Sequence, residues 1–134
     1  MKVTVDTNIL VRAAVQDDAV QARQAAKILE KATLVAVPMP VLCELAWVLM
    51  RGYKRSAADV AAAITHLMSS ENVALNRAAT EAGLAVLAAG GDFADGVIAY
   101  EGEWLGATEF VSFDKKAVVV LKAQGRAARL ITGG

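Results

Sequence analysis

The chain has 134 residues, of which 56% are hydrophobic and 21% charged; this composition excludes a disordered protein and suits one folded domain over residues 1–134. Its longest uncharged stretch, residues 32–43, contains two prolines and is too short for a transmembrane helix. We see no signal-peptide pattern and one cysteine that cannot form an internal disulfide, so we expect a cytoplasmic protein with no membrane partner.

The net charge of zero conceals an uneven distribution of charge along the chain. Residues 1–55 contain eight Lys or Arg and five Asp or Glu, residues 56–109 contain one and eight, and residues 110–134 contain five and one. This distribution is compatible with ordinary scatter of surface charge, and also with a polyanion-binding surface beside an acidic site.

Predicted strands and helices alternate along the chain. β-branched residues indicate the first strand, and Asp18 and Ser56 are typical helix N-caps. Pro40 suits the first turn of a helix that Gly52 ends. In chain order we predict a strand at residues 2–5, helices at 7–15 and 18–31, a strand at 34–37, helices at 40–51 and 56–69, a strand at 73–75, helices at 76–90 and 92–105, a strand at 109–113, a helix at 115–122 and a strand at 127–131.

This alternation predicts an α/β fold with a central, mostly parallel sheet of about five short strands flanked by helices. No low-complexity tract and no repeat at a fixed period interrupts the pattern. In such sheets, ligands bind beyond the carboxyl ends of the strands, so that edge is where functional side chains are expected.

Two of the predicted strands are followed by an aspartate. Asp6 comes directly after the first strand, and Asp114 directly after the strand EFVSF. Each has an ordinary structural interpretation, since Asp6 suits an Asx turn and Asp114 suits a helix N-cap. If the strands are parallel, however, both carboxylates lie at the same edge of the sheet.

Two further acids stand out on predicted helices. The residues three and four positions either side of Glu44 are all apolar, so we expect its carboxylate to be costly to bury without a partner. Asp95 lies in the first turn of its helix, where the dipole favours a negative charge, and Asp92 is interpreted as the cap of that helix.

Three or four carboxylates at one sheet edge would repel one another unless a cation were bound between them. Oxygen ligands of this kind suit Mg²⁺ or Mn²⁺. Zinc is disfavoured, because His66 and Cys43 each stand alone and are interpreted as structural residues.

The motifs VDTN, VLCEL, DFADGVIA and FVSFDKK, in this order and at these spacings, resemble those of PIN-domain ribonucleases. The single-domain layout is similar to that of VapC-type toxins of type II toxin–antitoxin pairs. The resemblance implies a three-layer fold and four catalytic acids, Asp6, Glu44, Asp95 and Asp114. It implies that Asp6, Asp95 and Asp114 hold Mg²⁺ or Mn²⁺, and that Asn8 and Ser112 are polar residues that shape the site. Ser112 stands where threonine is more usual.

The resemblance also implies hydrolysis of RNA to a 5′-phosphate and a 3′-hydroxyl, a homodimer and a cognate antitoxin. Arg12, Lys115 and Lys116 flank the acids in sequence and are candidates for RNA binding. Two further basic clusters are Arg51, Lys54 and Arg55, and Lys122, Arg126 and Arg129. Trp47 and Trp104 are interpreted as core or dimer contacts, and the apolar helix faces at residues 45–50 and 60–68 as surfaces for a partner.

Other functions remain compatible with the sequence. An RNA-processing nuclease without an antitoxin would carry the same acids, and a non-catalytic binding module would share the fold. A phosphotransferase related to haloacid dehalogenases is disfavoured, because such enzymes need a second aspartate where this chain has Asn8.

Overall fold

The computed structural model describes residues 1–132, so the last two residues of the predicted domain lie outside the described part. The strands are β1 (Lys2–Thr4), β2 (Leu34–Ala36), β3 (Val73–Ala74), β4 (Phe110–Ser112) and β5 (Ala128–Leu130). The α-helices are α1 (Thr7–Val15), α2 (Ala19–Lys31), α3 (Met39–Trp47), α4 (Ala57–Ser69), α5 (Arg77–Ala88), α6 (Phe93–Trp104) and α7 (Lys115–Ala123). Every predicted element is present, and the predicted α/β class is confirmed.

The strands pair in two parallel sheets. In residues 1–77, a compact unit, the strand order is β1-β2-β3, with Val3 opposite Val35 and Val35 opposite Val73. In residues 78–134, the second unit, β4 pairs with β5, with Phe110 opposite Ala128. The predicted number of strands and their parallel direction are therefore confirmed among the described residues.

The core of the first unit forms around the middle strand. Val35 on β2 is fully buried, and the inward faces of α3 and α4 bring Leu42 and Ile64 to the same degree of burial. Helices α1 and α2 pack against each other. Burying each aliphatic side chain of this size contributes roughly 1.5–3 kcal/mol, so this core, rather than helix propensity, stabilises the short elements.

Side-chain caps set where the helices of this unit begin. Asp18 accepts a hydrogen bond from the Gln21 backbone N–H at 3.0 Å, and Ser56 accepts one from the Asp59 N–H at 3.1 Å. Each bond satisfies one of the N–H groups that a helix start leaves without a partner. Both predicted caps are confirmed.

The helix predicted at residues 40–51 is not α-helical to its end. It changes at Val48 to a π-helical segment, Val48–Gly52, and the Tyr53 N–H donates to the Val48 carbonyl at 3.1 Å. The hydroxyl of Tyr53 lies 3.3 Å from the Arg12 guanidinium and 3.2 Å from the Asp17 carboxylate. The π-helical segment therefore ends at Tyr53, whose side chain contacts Arg12 near the end of α1 and Asp17 just beyond that helix.

The second unit contains an unusually close helix pair. A Cβ atom added at Gly96 on α6 would lie 2.4 Å from the Ala82 carbonyl oxygen and 2.7 Å from the Gly83 Cα. A Cβ atom added at Gly83 on α5 would lie 2.6 Å from the Phe93 ring. The backbones of α5 and α6 therefore meet where both helices have glycine. Elsewhere in this unit, a buried apolar cluster is formed by Val86, Ala99, Val118, Val120, Leu121 and Ala128.

Trp47 and Trp104, interpreted as core or dimer contacts, are 63% and 81% exposed, so the core alternative is wrong and the dimer alternative stays a prediction. The helix faces at residues 45–50 and 60–68, expected to be exposed for a partner, are buried at five positions: Leu45, Leu49, Val60, Ile64 and Leu67. These helices are apolar on more than one side, and only packing decides which side is covered. No helix in residues 1–132 combines the length and the hydropathy that crossing a membrane requires.

Candidate active site

Asp6 is placed by the turn that joins β1 to α1. The strand ends at Thr4, and Asp6 is the N-cap of α1, with its Oδ1 accepting from the Thr7 N–H at 2.7 Å. The side chain is exposed. Asp6 therefore starts the helix as expected, although its side chain accepts from the next N–H and not from the N–H two residues on that defines an Asx turn. The same turn places the carboxylate at the carboxyl end of a parallel strand.

Asp114 is placed in the same way in the second unit. It is the N-cap of α7, and its Oδ1 accepts from the N–H groups of Lys116 at 3.0 Å and Ala117 at 3.2 Å. The Ser112 hydroxyl accepts from the Asp114 N–H at 2.9 Å. Ser112, at the end of β4, thus holds the backbone of the acid, which is a direct physical basis for its predicted role as a site-shaping residue.

Asp95 is the acid whose ionisation the fold perturbs. Its pKa is raised, first by partial burial and then by the negative charges of Asp92 and Asp114. Both neighbours act on Asp95 from within the second unit, since Asp92 begins α6 and Asp114 begins α7. The structure therefore brings these three carboxylates into one local field, as expected for Asp95 and Asp114.

Asp92 was interpreted from sequence as a helix cap, and the structure corrects that role. It occupies the N-cap position of α6, but its side chain accepts no capping hydrogen bond. Its charge instead contributes to the raised pKa of Asp95. The signal was available in the spacing, because acids three residues apart in the first turn of a helix project from the same side.

Glu44 is not buried, although the residues three and four positions either side of it are apolar. Its side chain is exposed, while the buried side of α3 is formed by Met39, Leu42, Leu45 and Ala46. Trp47, three residues on, is exposed as well. The apolar residues that flank Glu44 in the helix therefore do not enclose it, and its charge carries no burial cost.

The candidate acids fit a hard divalent cation by their chemistry. They offer only carboxylate oxygens, and the pKa of Asp95 is raised first by burial and then by the negative charges of Asp92 and Asp114, which a bound cation would offset. Within residues 1–132, no three His, Cys, Asp or Glu side chains are grouped closely enough to ligate one ion together. Mg²⁺ commonly binds through one or two carboxylates and retains several waters, and the donors present suit that mode.

The predicted RNA-binding cations differ in how they are engaged. Arg12 donates to Gln21 at 2.6 Å and lies 3.5 Å from Asp17, so it is held within the first unit. Lys115 and Lys116 are exposed in the first turn of α7, where the helix dipole disfavours cations. Of the C-terminal cluster, Arg126 pairs with Glu103 and Arg129 pairs with Glu109.

Asn8 is exposed on the first turn of α1, two residues beyond Asp6. The remaining sequence candidates, Cys43 and His66, are respectively half-buried and exposed.

Comparison with known proteins gives one result. The family model for the PIN domain matches residues 3–121, a span that contains all four candidate acids. No curated protein matches the sequence. Because the family match covers most of the chain, the chain belongs to the PIN domain family.

Proposed function

We propose that this protein is a metal-dependent endoribonuclease that hydrolyses RNA phosphodiesters, and that it is the toxin of a toxin–antitoxin pair. PIN domains are generally metal-dependent nucleases, and membership of the family supports nuclease activity and RNA as the bound class. The observation that carries the proposal is the half-buried Asp95, whose pKa is raised by burial and by Asp92 and Asp114. Perturbed carboxylates of this kind are typical of catalytic and metal-binding sites.

The proposed ligands of Mg²⁺ or Mn²⁺ in the second unit are Asp95 and Asp114. Asp6, in the first unit, stays a proposed catalytic acid and metal ligand on the strength of its sequence motif alone. When bound, the metal supplies a water of lowered pKa and neutralises charge that develops on the phosphate. Asp6 and Asp114 are oriented for this by the backbone N–H groups that each one caps. Asp92 adds negative charge beside Asp95, which strengthens the attraction for a cation.

Glu44 is proposed to orient the attacking water or to complete the shell around the metal. Its exposure leaves the carboxylate accessible to substrate, which both of these roles require. Lys115 and Lys116 are proposed to contact RNA phosphates near Asp114, since both are exposed in a helix turn where cations do not favour the fold. Arg12 is proposed as a third, more rigid phosphate contact.

The test is cleavage of total RNA by purified protein, free of bound partners, with Mg²⁺ or Mn²⁺ and with EDTA. We expect discrete fragments with 5′-phosphate ends that disappear with EDTA, and a loss of at least about 100-fold in rate for Asp6→Asn and Asp95→Asn. Asp59→Asn is the matched control, because Asp59 is an exposed first-turn acid on α4. Wild-type rates in the two site variants would show that these acids are not catalytic.

The toxin role predicts a partner, and the first unit has a suitable groove. A groove of about 1010 Å³ runs between α1, α2 and α4, with Leu29 and Leu67 among its apolar lining and Glu30, Glu71 and His66 among its polar lining. An amphipathic antitoxin segment with basic residues would match this surface. We expect induced expression to stop growth, Asp95→Asn to be harmless, and co-expression of a small protein from the adjacent gene to restore growth. An RNA-processing nuclease would show no such rescue.

A homodimer is also proposed. Ile98, Trp104 and Leu105, on α6 and at its end, are large apolar side chains that are mostly exposed, and such residues are enriched in interfaces. Light scattering should give twice the mass of one chain, and Trp104→Lys should give the mass of a single chain. A wild-type monomer at all concentrations would exclude the dimer.

A further inference from the structure

A second groove of about 770 Å³ lies on the first unit, along the paired helices α1 and α2. Its polar lining comes from Asn8 and Arg12 on α1 and from Gln21, Gln24, Lys27 and Lys31 on α2. Among the described residues, no acidic side chain lines it. The groove therefore combines positive charge with amide groups, and the one carboxylate paired with its cations, Asp17 at 3.5 Å from Arg12, lies outside the lining.

Helices α1 and α2 each line two grooves, and the charged side chains of the two grooves have opposite sign. The opposite faces of α1 and α2 line the apolar groove, and the charged side chains found there, Glu30 and Glu71, are acidic. We call the second groove, with its three cations Arg12, Lys27 and Lys31, the basic groove. On α2 it is lined by Gln24, Lys27 and Lys31, which lie along one face of the helix at intervals of three and four residues. Lys27 and Lys31 are separated by about 6 Å along the helix axis.

The two lysines are available to a ligand. Both are exposed, and within residues 1–132 neither forms an ion pair with a carboxylate. Arg12 differs, because Asp17 and Gln21 hold it in one position. The groove thus has one paired cation on α1 and two exposed cations without ion pairs on α2, a spread of charge that suits an extended polyanion rather than a single small anion.

We propose that this groove binds the backbone of single-stranded RNA, with the strand running from beside Asp6 along α2 to Lys31. The inference rests on the proposed function, and it adds a surface, separate from the catalytic acids, on which the substrate strand lies. The location supports RNA, because Asn8, which lines the groove, lies on the first turn of α1, two residues beyond Asp6. The amides of Asn8 and Gln24 also offer both donors and acceptors, which suit the edges of unpaired bases.

The test is the salt dependence of RNA binding, measured by fluorescence anisotropy of a labelled single-stranded RNA in EDTA, where metal-dependent cleavage is prevented. For Lys27→Gln/Lys31→Gln we expect at least about a tenfold rise in Kd at low salt, and a slope of log Kd against log salt that is smaller by about 1.4. Both lysines are exposed, so the variant should melt at the wild-type temperature. Arg23→Gln is the matched control, since Arg23 is an exposed cation on the same helix outside the groove.

A double variant with the wild-type Kd and salt slope would overturn the inference. The inference would also be wrong if a poly-glutamate peptide competed as well as unlabelled RNA and its competition depended on the two lysines. That result would assign the groove to an acidic polypeptide. Cleavage of the same RNA with Mn²⁺ is scored separately. If the protein cleaves RNA and the double variant keeps the wild-type salt slope, the nuclease proposal stands and the groove proposal is wrong. If RNA binding depends on the lysines but no cleavage occurs, the groove proposal stands and the nuclease proposal is wrong.

Discussion

Asp114 illustrates how one side chain serves both the fold and the proposed chemistry. Its carboxylate accepts two backbone N–H groups at the start of α7, and its own N–H is held by Ser112. A charged cap at a helix N-terminus is stabilised by the unpaired N–H groups and by the dipole. The cap also restricts the orientation of the carboxylate, which a metal ligand or catalytic acid requires.

Substitution at Asp114 should separate these two roles. Asparagine retains an oxygen that accepts the capping bonds, so Asp114→Asn should keep nearly wild-type stability and lose RNA cleavage. Asp114→Ala removes the cap as well and should cost about 1 kcal/mol of unfolding free energy. Urea denaturation and a cleavage assay on the same preparations test this. Equal stability of the two variants would show that the cap contributes nothing.

Asp95 should make the stability of the protein depend on pH. Its pKa is raised above the ordinary value of 3.8, so the folded state binds a proton more tightly than the unfolded state does. Stability therefore falls as pH rises from about 3.8 through the raised pKa, and above that pKa the cost is constant. Asp95→Asn removes this cost, and in EDTA at pH 7 it should raise Tm by roughly 1–3 °C, since solvent screens a half-buried group.

Thermal melts between pH 4 and pH 7 measure this effect. The gain from Asp95→Asn should shrink toward zero as the pH approaches 3.8. A gain of the same size at every pH would show that charge repulsion at Asp95 is not its cause.

At the scale of elements, the close approach of α5 and α6 fixes the position of Asp95. Gly96 follows Asp95 directly and places the helix backbone against Ala82 and Gly83. A larger residue at this position would push α6 away from α5. The acid is therefore positioned by a glycine contact rather than by hydrogen bonds of its own side chain.

Gly96→Ala should destabilise the protein by at least about 1–3 kcal/mol, because the added Cβ would lie 2.4 Å from a backbone oxygen that has little room to move. Gly102→Ala is the matched control on the same helix, where an added Cβ meets nothing within 4 Å. It should be neutral or stabilising by roughly 0.5–1 kcal/mol through helix propensity. Chemical denaturation distinguishes the two, and equal stabilities would contradict the close packing.

At the scale of the whole molecule, positive and negative side chains cluster in separate regions although the net charge is zero. The second unit concentrates carboxylates around Asp95, whereas in the first unit the basic groove and the apolar groove carry charges of opposite sign. Local fields of this kind attract ligands even when the total charge is zero. The uneven charge along the sequence thus has a counterpart in the fold.

Divalent metal should stabilise the folded protein by mass action. At a concentration ten times its Kd, Mg²⁺ or Mn²⁺ should add about 1.4 kcal/mol to the free energy of unfolding. The gain should be much smaller for Asp95→Asn and unchanged for Asp59→Asn. Differential scanning fluorimetry with a metal titration measures it, and an equal gain in all three proteins would place the metal away from Asp95.

The sequence alone was sufficient for the element pattern and much of the proposed chemistry. Helix α1 was predicted at the residues where it is found, and Asp18 and Ser56 cap as their residue types indicate. These features depend on interactions within a few residues, where side-chain chemistry and spacing determine the outcome. The alternation of strands and helices also predicted the parallel pairing, because a helix that connects two neighbouring strands of one sheet makes those strands parallel.

Only the tertiary structure decided which faces are covered and which charges meet. Local spacing placed Glu44 in an apolar stripe, yet the core packs on the other side of α3 and leaves it exposed. The proximity of Asp92 to Asp95 follows from their spacing in one helix, but the influence of Asp114 on Asp95 depends on how α6 and α7 pack. The π-helical segment at Val48–Gly52 and the basic groove also arise from contacts between elements. Burial and electrostatic potential are properties of residues brought together by folding, and one sequence does not record those distances.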